Sequence, residues 1–304
     1  VSHFLSPLFA PGFFESSAVH IAVVVGIIAA IVSGLVGTFT VLRGQSFAGE
    51  SFSDIGTTGG SGAFLIGIGP LWGFLIAGVS AAVVMEGIGI QRVRGRDLAT
   101  GIVLGAALGL AALFLYLVST SSSTTGAAVT ILFGSAFSTL NSTIPLVLAL
   151  GAIAVGLIVL LYRPLLISSI SPELAAARGI PVRLVGLVYL VAVAMTMALS
   201  AISIGTILSA TLLVGPAATA LQLTRTPGRA ILLAAILGAS AMLIGIVLAY
   251  DSFQWPPAGH GWPISFFVVA LILLFYLLAG VWARIRGRSP NQPASRSDNS
   301  RAVV

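Results

Sequence analysis

The sequence predicts an all-α, polytopic transmembrane helical bundle of the importer-permease type, with about nine spans and a range of eight to ten. Three observations lead there. Of 304 residues, 58% are hydrophobic and 7% charged, with a mean hydropathy of +1.12, whereas a soluble domain carries about 25% charged residues. Uncharged apolar runs recur along the chain, each long enough to cross the ~30 Å hydrocarbon layer as a helix. All 14 basic residues are arginine, and they collect in alternate connections between the runs. Residues 1–283 are read as one membrane domain and 284–304, polar and rich in Pro and Ser, as a disordered cytoplasmic tail.

The first run, Ala18 to Leu42, stops at Arg43. Residues 55–91 hold one charge, Glu86, and are too long for a single crossing at ~1.5 Å per residue. The break at Gly67-Ile68-Gly69-Pro70 divides them in two. A basic loop, 92–97, precedes a span from Leu98 to Val118, and an uncharged Ser/Thr-rich stretch, 119–143, precedes a span from Ile144 to Tyr162. Ser168 to Arg183 is a long polar insertion and is expected to form a short cytoplasmic helix. Leu184 to Leu223 again exceeds one crossing, with Ser200 to Thr206 as the natural turn. Ile231 to Tyr250 and Ile264 to Trp282 complete the set, separated by a Trp/Pro/Gly loop.

Nine crossings place Arg43, Arg92 to Arg96, Arg163 to Arg183, Arg225 to Arg229 and the tail on one side. The positive-inside rule makes that side cytoplasmic, the N-terminus external, and the location the plasma (inner) membrane. The +6 net charge is thereby assigned to topology and not to nucleic acid. No cleavable segment precedes the first run convincingly, so no signal peptide is expected. The 35 glycines, including Gly56, Gly59, Gly60 and Gly62, are read mainly as close helix packing.

Chemistry is limited by what is missing. Without cysteine there is no disulfide, thiolate metal site or cysteine nucleophile. Without lysine a GxxxxGK[ST] phosphate loop cannot exist, so any ATP is hydrolysed by another subunit and the chain is no enzyme. His3, His20 and His260 fall near the external face and form no HExxH-like pair. No covalently bound cofactor is expected.

Of eight carboxylates, Glu15 and Asp251 sit at the external edge, Asp97 in the arginine loop, Glu173 in the polar insertion and Asp298 in the tail. Glu86 is placed to reach the arginine loop. Glu50 and Asp54 stand out: four apart, they share one face of a helix, and an ionised carboxylate within the membrane costs at least ~2.5 kcal/mol. Either they line a solute pathway, or the helix starts near Ile55 and both are solvated residues favoured by its dipole.

The order of motifs resembles the permeases of ABC importers for manganese, zinc and iron, the ABC-3 family. Val41 to Ile55 (VLRGQSFAGESFSDI) is similar to the family pattern VLRRMSLMGDALSHA, Ile131 to Gly134 to its LFG segment, Ser171 to Arg183 to its cytoplasmic helix, and Gly205 to Ala220 to its late helix. Together these cover about residues 18–283. The resemblance implies a divalent metal ion as the transported substrate, with Glu50 and Asp54 falling on the metal-handling Asp and His. Here the histidine is replaced, and an all-oxygen pair suits a harder ion such as Mn²⁺. It further implies Ser171, Pro172, Glu173, Leu174, Arg178 and Gly179 as the ATPase-coupling segment. The expected partners are a cytoplasmic ABC ATPase, an external solute-binding protein, a second permease subunit as homo- or heterodimer, and the lipid bilayer. Two other classes stand beside this one: an ion-coupled secondary transporter working alone, and a membrane scaffold that transports nothing.

Overall fold

The computed structural model describes residues 13, 15–88, 96–121, 126–134, 137, 141–224, 226–255 and 261–285. The described residues are helical: α1 (Ser17–Leu42), α2 (Ser46–Leu65), α3 (Pro70–Ile88), α4 (Arg96–Ser121), α5 (Ala127–Phe133), α6 (Ile144–Leu160), α7 (Tyr162–Ile170), α8 (Pro172–Ala177), α9 (Val182–Ile204), α10 (Thr206–Leu223), α11 (Pro227–Asp251) and α12 (Ile264–Ile285). Nine of these have 17 or more residues, and α5, α7 and α8 are short. Seven stretches pass on length and hydropathy together as candidate spans, and Leu104–Thr120 within α4 is a shorter apolar segment. The exception is α2, the least apolar long helix, whose sequence SFAGESFSDIGTTGGSGAFL carries both carboxylates and a ladder of hydroxyls. Those hydroxyls are satisfied along the helix, Ser51, Thr57 and Ser61 each donating to the carbonyl four residues back, which makes a polar sequence tolerable away from water.

The boundaries follow local chemistry. Proline lies in the first turn of α6, α8 and α11, where its missing N–H costs nothing. Gly44, at φ +62, closes the end of α1: its N–H bonds to Val41 O at 3.0 Å and that of Gln45 to Thr40 O at 2.9 Å. The chain therefore turns in three residues, Arg43 to Gln45, before α2 begins.

At the centre are α1 and α9, the most buried spans. They are joined by Ser33 Oγ and Ser200 Oγ at 2.9 Å and by Tyr189 Oη donating to Thr40 Oγ1 at 2.8 Å. Small residues set the approach of the helices. A methyl at Gly34 would meet the backbone of Ala234 and Ala235 on α11, and one at Gly59 of α2 would strike the Gly73 carbonyl of α3. Outward, Leu273, Leu277 and Val281 of α12 and Leu232 and Ile236 of α11 are exposed, as a lipid-facing surface requires. At the end opposite the arginines, Trp255, Trp262, Phe266 and Phe267 cluster, with the Trp262 and Phe267 rings stacked at 6.0 Å, an aromatic girdle of the kind found where helices leave the bilayer.

The expected polytopic helical bundle is present, with seven candidate spans and nine helices of 17 or more residues among the described residues, and several boundaries differ from expectation. The insertion 168–183 is not one helix: α7 runs to Ile170, Ser171 is extended, and α8 has six residues. The stretch 119–143, expected as a connection, contains α5. The turn expected over Ser200 to Thr206 narrows to Gly205, and the span expected to reach Tyr162 stops at Leu160. The loop 92–95, His3, His260, Asp298 and the tail beyond Ile285 lie outside the described residues.

Candidate functional site

Because α2 starts at Ser46, Glu50 lies about 6 Å and Asp54 about 12 Å along its axis. The helix thus begins nine residues before Ile55, where the alternative had it start, and both carboxylates lie within it. Glu50 is exposed and Asp54 half-buried, and the charge beside Glu50 is Asp54 itself. Neither accepts a hydrogen bond or meets a cation among the described residues. A lipid chain cannot cover such a face at acceptable cost, so it points to water, to another protein surface, or to both.

The opposite face of α2 is buried through Gly49, Phe52, Ser53, Gly56 and Gly60, and it fixes the rotation that turns the carboxylates outward. Ser53 donates to the carbonyl oxygen of Thr206, and its Oγ lies 2.9 Å from Ser209 Oγ. Asp54 is thus level with the break between α9 and α10. That break is made by Gly205 at φ 82, ψ 166, and it is met by Gly134 at φ 85, ψ 168, a region open essentially to glycine alone. The two glycines touch backbone to backbone. Neither has room for a Cβ: one on Gly134 would sit 2.5 Å from Gly205 N. Thr206 Oγ1 also donates to Ile131 O at 3.3 Å, so α5 is held down on the break.

The groove beside α2 is apolar and offers an ion no charged ligand. It measures about 640 Å³, lies between α2, α3 and α4, and is lined by Ile55, Trp72, Ile76, Leu110 and Phe114. Its hydroxyls, Thr58 and Ser80, are already spent on the carbonyls of Ala107 and Ile76. Among the described residues no three His, Cys, Asp or Glu side chains come together. Glu50 and Asp54 are therefore a pair of carboxylates with no third such side chain beside them among the described residues.

The coupling candidates fall together at the arginine end. Ser171 caps α8, accepting from Leu174 N at 3.2 Å, with Glu173 in the first turn. Arg178 and Gly179 end it, Gly179 at φ +76. Pro172, Glu173, Leu174, Arg178 and Gly179 are exposed while Ala175 is buried, so α8 is pinned at one point and presents the rest. Ile170 at the end of α7 and Leu174 in α8 are 79% and 48% exposed, apolar side chains on either side of the Ser171 break. Glu86 interacts electrostatically with Arg183 and Arg43, two arginines outside the loop it was expected to reach.

Sequence reasoning missed Ser53, Ser209 and the Gly134–Gly205 contact as one unit. The available signal was the pair of glycines at Gly134 and Gly205, both within motifs already noted but 71 residues apart.

Residues 16–279 match the ABC 3 transport family. The manganese transport system membrane protein MntC of Listeria monocytogenes is 30% identical over 80% of this chain and 85% of its own length. The manganese import system permease protein ScaB of Streptococcus parasanguinis is 29% identical over 78% and 82%, and the high-affinity zinc uptake system membrane protein ZnuB of Haemophilus influenzae 25% over 77% and 90%. In structure, the chain superposes on PsaBC from Streptococcus pneumoniae, solved in complex with Fab, with a TM-score of 0.73 at 26% identity, covering 88% of this chain and 93% of that one. The family match over residues 16–279 of a polytopic helical membrane bundle makes this chain a member of the ABC 3 transport family: the membrane-spanning transport subunit of an ABC system, not its ATPase.

Proposed function

We propose that the chain is the permease of a divalent-metal importer, with Mn²⁺ as the first candidate and Zn²⁺ or Fe²⁺ next, and that Glu50 and Asp54 contact the ion on its path. The observation that carries this is the carboxylate pair itself: one helical turn apart, inside α2, without a paired cation among the described residues, and turned away from the buried face that Ser53 anchors. Two adjacent negative charges are stabilised by a divalent ion, and two carboxylates suit Mn²⁺ better than a softer metal. The names of the manganese-transporting relatives support the same ion. Further ligands come from a second permease copy, which in a homodimer brings a second pair, or from water carried with the ion. A separate ATPase docks on α8 from the arginine side, taken as cytoplasmic, and a solute-binding protein delivers the ion at the opposite face of the plasma (inner) membrane.

The test is uptake of Mn²⁺, Zn²⁺ and Fe²⁺ by the permease reconstituted with its ATPase and binding protein. Glu50→Gln with Asp54→Asn keeps shape and hydrogen bonding and removes charge. This variant is expected to insert and assemble yet lose uptake, and wild-type uptake is expected to weaken as protons compete at acid pH. Undiminished transport by the double variant would reduce the pair to bystanders. The broken α9–α10 connection is a feature that secondary carriers share, but family membership assigns the energy source to an ATPase.

A further inference from the structure

We propose that Arg43 is the positioning residue through which the ATPase-facing segment acts on the carboxylate pair. The proposal rests on the importer reading above and adds the link between its two ends. Arg43 lies in the three-residue elbow between α1 and α2, seven positions before Glu50. Its Nη1 donates to Ser168 Oγ at 2.9 Å. Ser168 is 4% exposed, belongs to α7, and stands three residues before the Ser171 that caps α8. Among the described residues, this is the one side-chain hydrogen bond that ties α7 and α8 to the rest of the bundle. The guanidinium also lies 5.0 Å from the centroid of the Tyr189 ring, and Tyr189 bonds in turn to Thr40 of α1. A movement of α8 thus reaches the start of α2 through one polar contact, and a rotation at the start of α2 moves Glu50 and Asp54 with it.

A transmitting element needs a second arrangement to move into. The elbow has the means for one. Arg43 Nε, a donor, and Gln45 Oε1, an acceptor, are both buried with no hydrogen-bond partner among the described residues, two positions apart on the same turn. Buried polar groups are rarely left so, and an arrangement that gave either atom a partner would be favoured over this one by a hydrogen bond. Glu86 of α3 interacts electrostatically with Arg43, so the guanidinium has a charged neighbour as well as its hydroxyl contact. The simpler role for such an arginine is to pack its stem against the helix end with no part in coupling.

Two variants separate these roles in the reconstituted permease, ATPase and binding-protein complex. Arg43→Lys keeps the charge and loses the planar fork, and Ser168→Ala removes the acceptor while leaving Arg43 in place. Both are expected to keep Mn²⁺ binding by electron paramagnetic resonance and to keep ATP hydrolysis, while Mn²⁺ transported per ATP falls about tenfold, within the range of ordinary coupling energies. A purely structural role would lower thermal stability and leave transport per ATP of the folded fraction unchanged, which overturns the proposal. Should Arg43→Lys fail to fold, Ser168→Ala alone decides. The double variant Glu50→Gln, Asp54→Asn serves as the comparison, since it removes Mn²⁺ binding itself. Wild-type complex that takes up no divalent metal overturns the importer reading and this proposal together, whereas normal coupling in both Arg43→Lys and Ser168→Ala overturns only the link.

Discussion

Replacing Gly205 by alanine tests how the middle of the bundle is built. At φ 82, ψ 166 a non-glycine residue costs about 1–3 kcal/mol in backbone strain. The added Cβ would also run into the Leu132 carbonyl, the Phe133 carbonyl carbon and the Gly134 nitrogen, all backbone atoms that cannot swing aside as a flexible side chain does. α5 must then withdraw, and with it goes the bond from Thr206 Oγ1 to Ile131 O, worth about 1 kcal/mol. The sum is a loss of about 2–4 kcal/mol, enough to lower the thermal midpoint in detergent by on the order of 5 °C. Gly156→Ala is the control. Gly156 lies inside α6 with open space around it, so alanine there is expected to be neutral or stabilising by up to about 1 kcal/mol. The midpoint is followed by loss of monodisperse protein on heating. An unchanged midpoint for Gly205→Ala would refute the clasp between Gly134 and Gly205 as a constraint on the fold.

Alanine substitution through Glu173 to Arg178 is expected to leave insertion intact and to abolish transport-coupled ATP hydrolysis, because it removes the exposed face of α8; retention of coupling would move the dock elsewhere. Topology is checked with reporters. Fusions at Ser122 and Gly259, outside the described residues, are expected to read as external. A cysteine placed at Ser289 is expected to resist labelling from outside intact cells, and its labelling would refute the orientation drawn from arginine.

The family outline was legible because its signals survive without tertiary context. Val41 to Ile55 and Ser171 to Arg183 lie in continuous segments, so their resemblance is visible residue by residue. The candidate site was only half legible. The spacing of Glu50 and Asp54 placed them on one helical face, but whether that helix had begun by then depended on Gly44 closing α1 and on the buried face that packs α2 from Gly49 onward. Ser53, one position from Asp54, looked like one hydroxyl among many until Thr206 and Ser209 came up against it.

By itself the sequence determined the spans, the absence of an ATP site and the arginine-bearing side, because the bilayer demands runs of about 20 apolar residues and penalises charge wherever it falls within them. Only the tertiary structure decided which face of each helix is inside. In water a buried face announces itself by polarity on the other side, but lipid is as apolar as a protein core, so hydrophobic periodicity carries little information here. What chooses the inner faces is small-residue shape and hydroxyl pairing across distant segments, as in Gly34 against Ala234, Ser33 against Ser200, Gly134 against Gly205 and Arg43 against Ser168. Those pairings exist only once the helices have met.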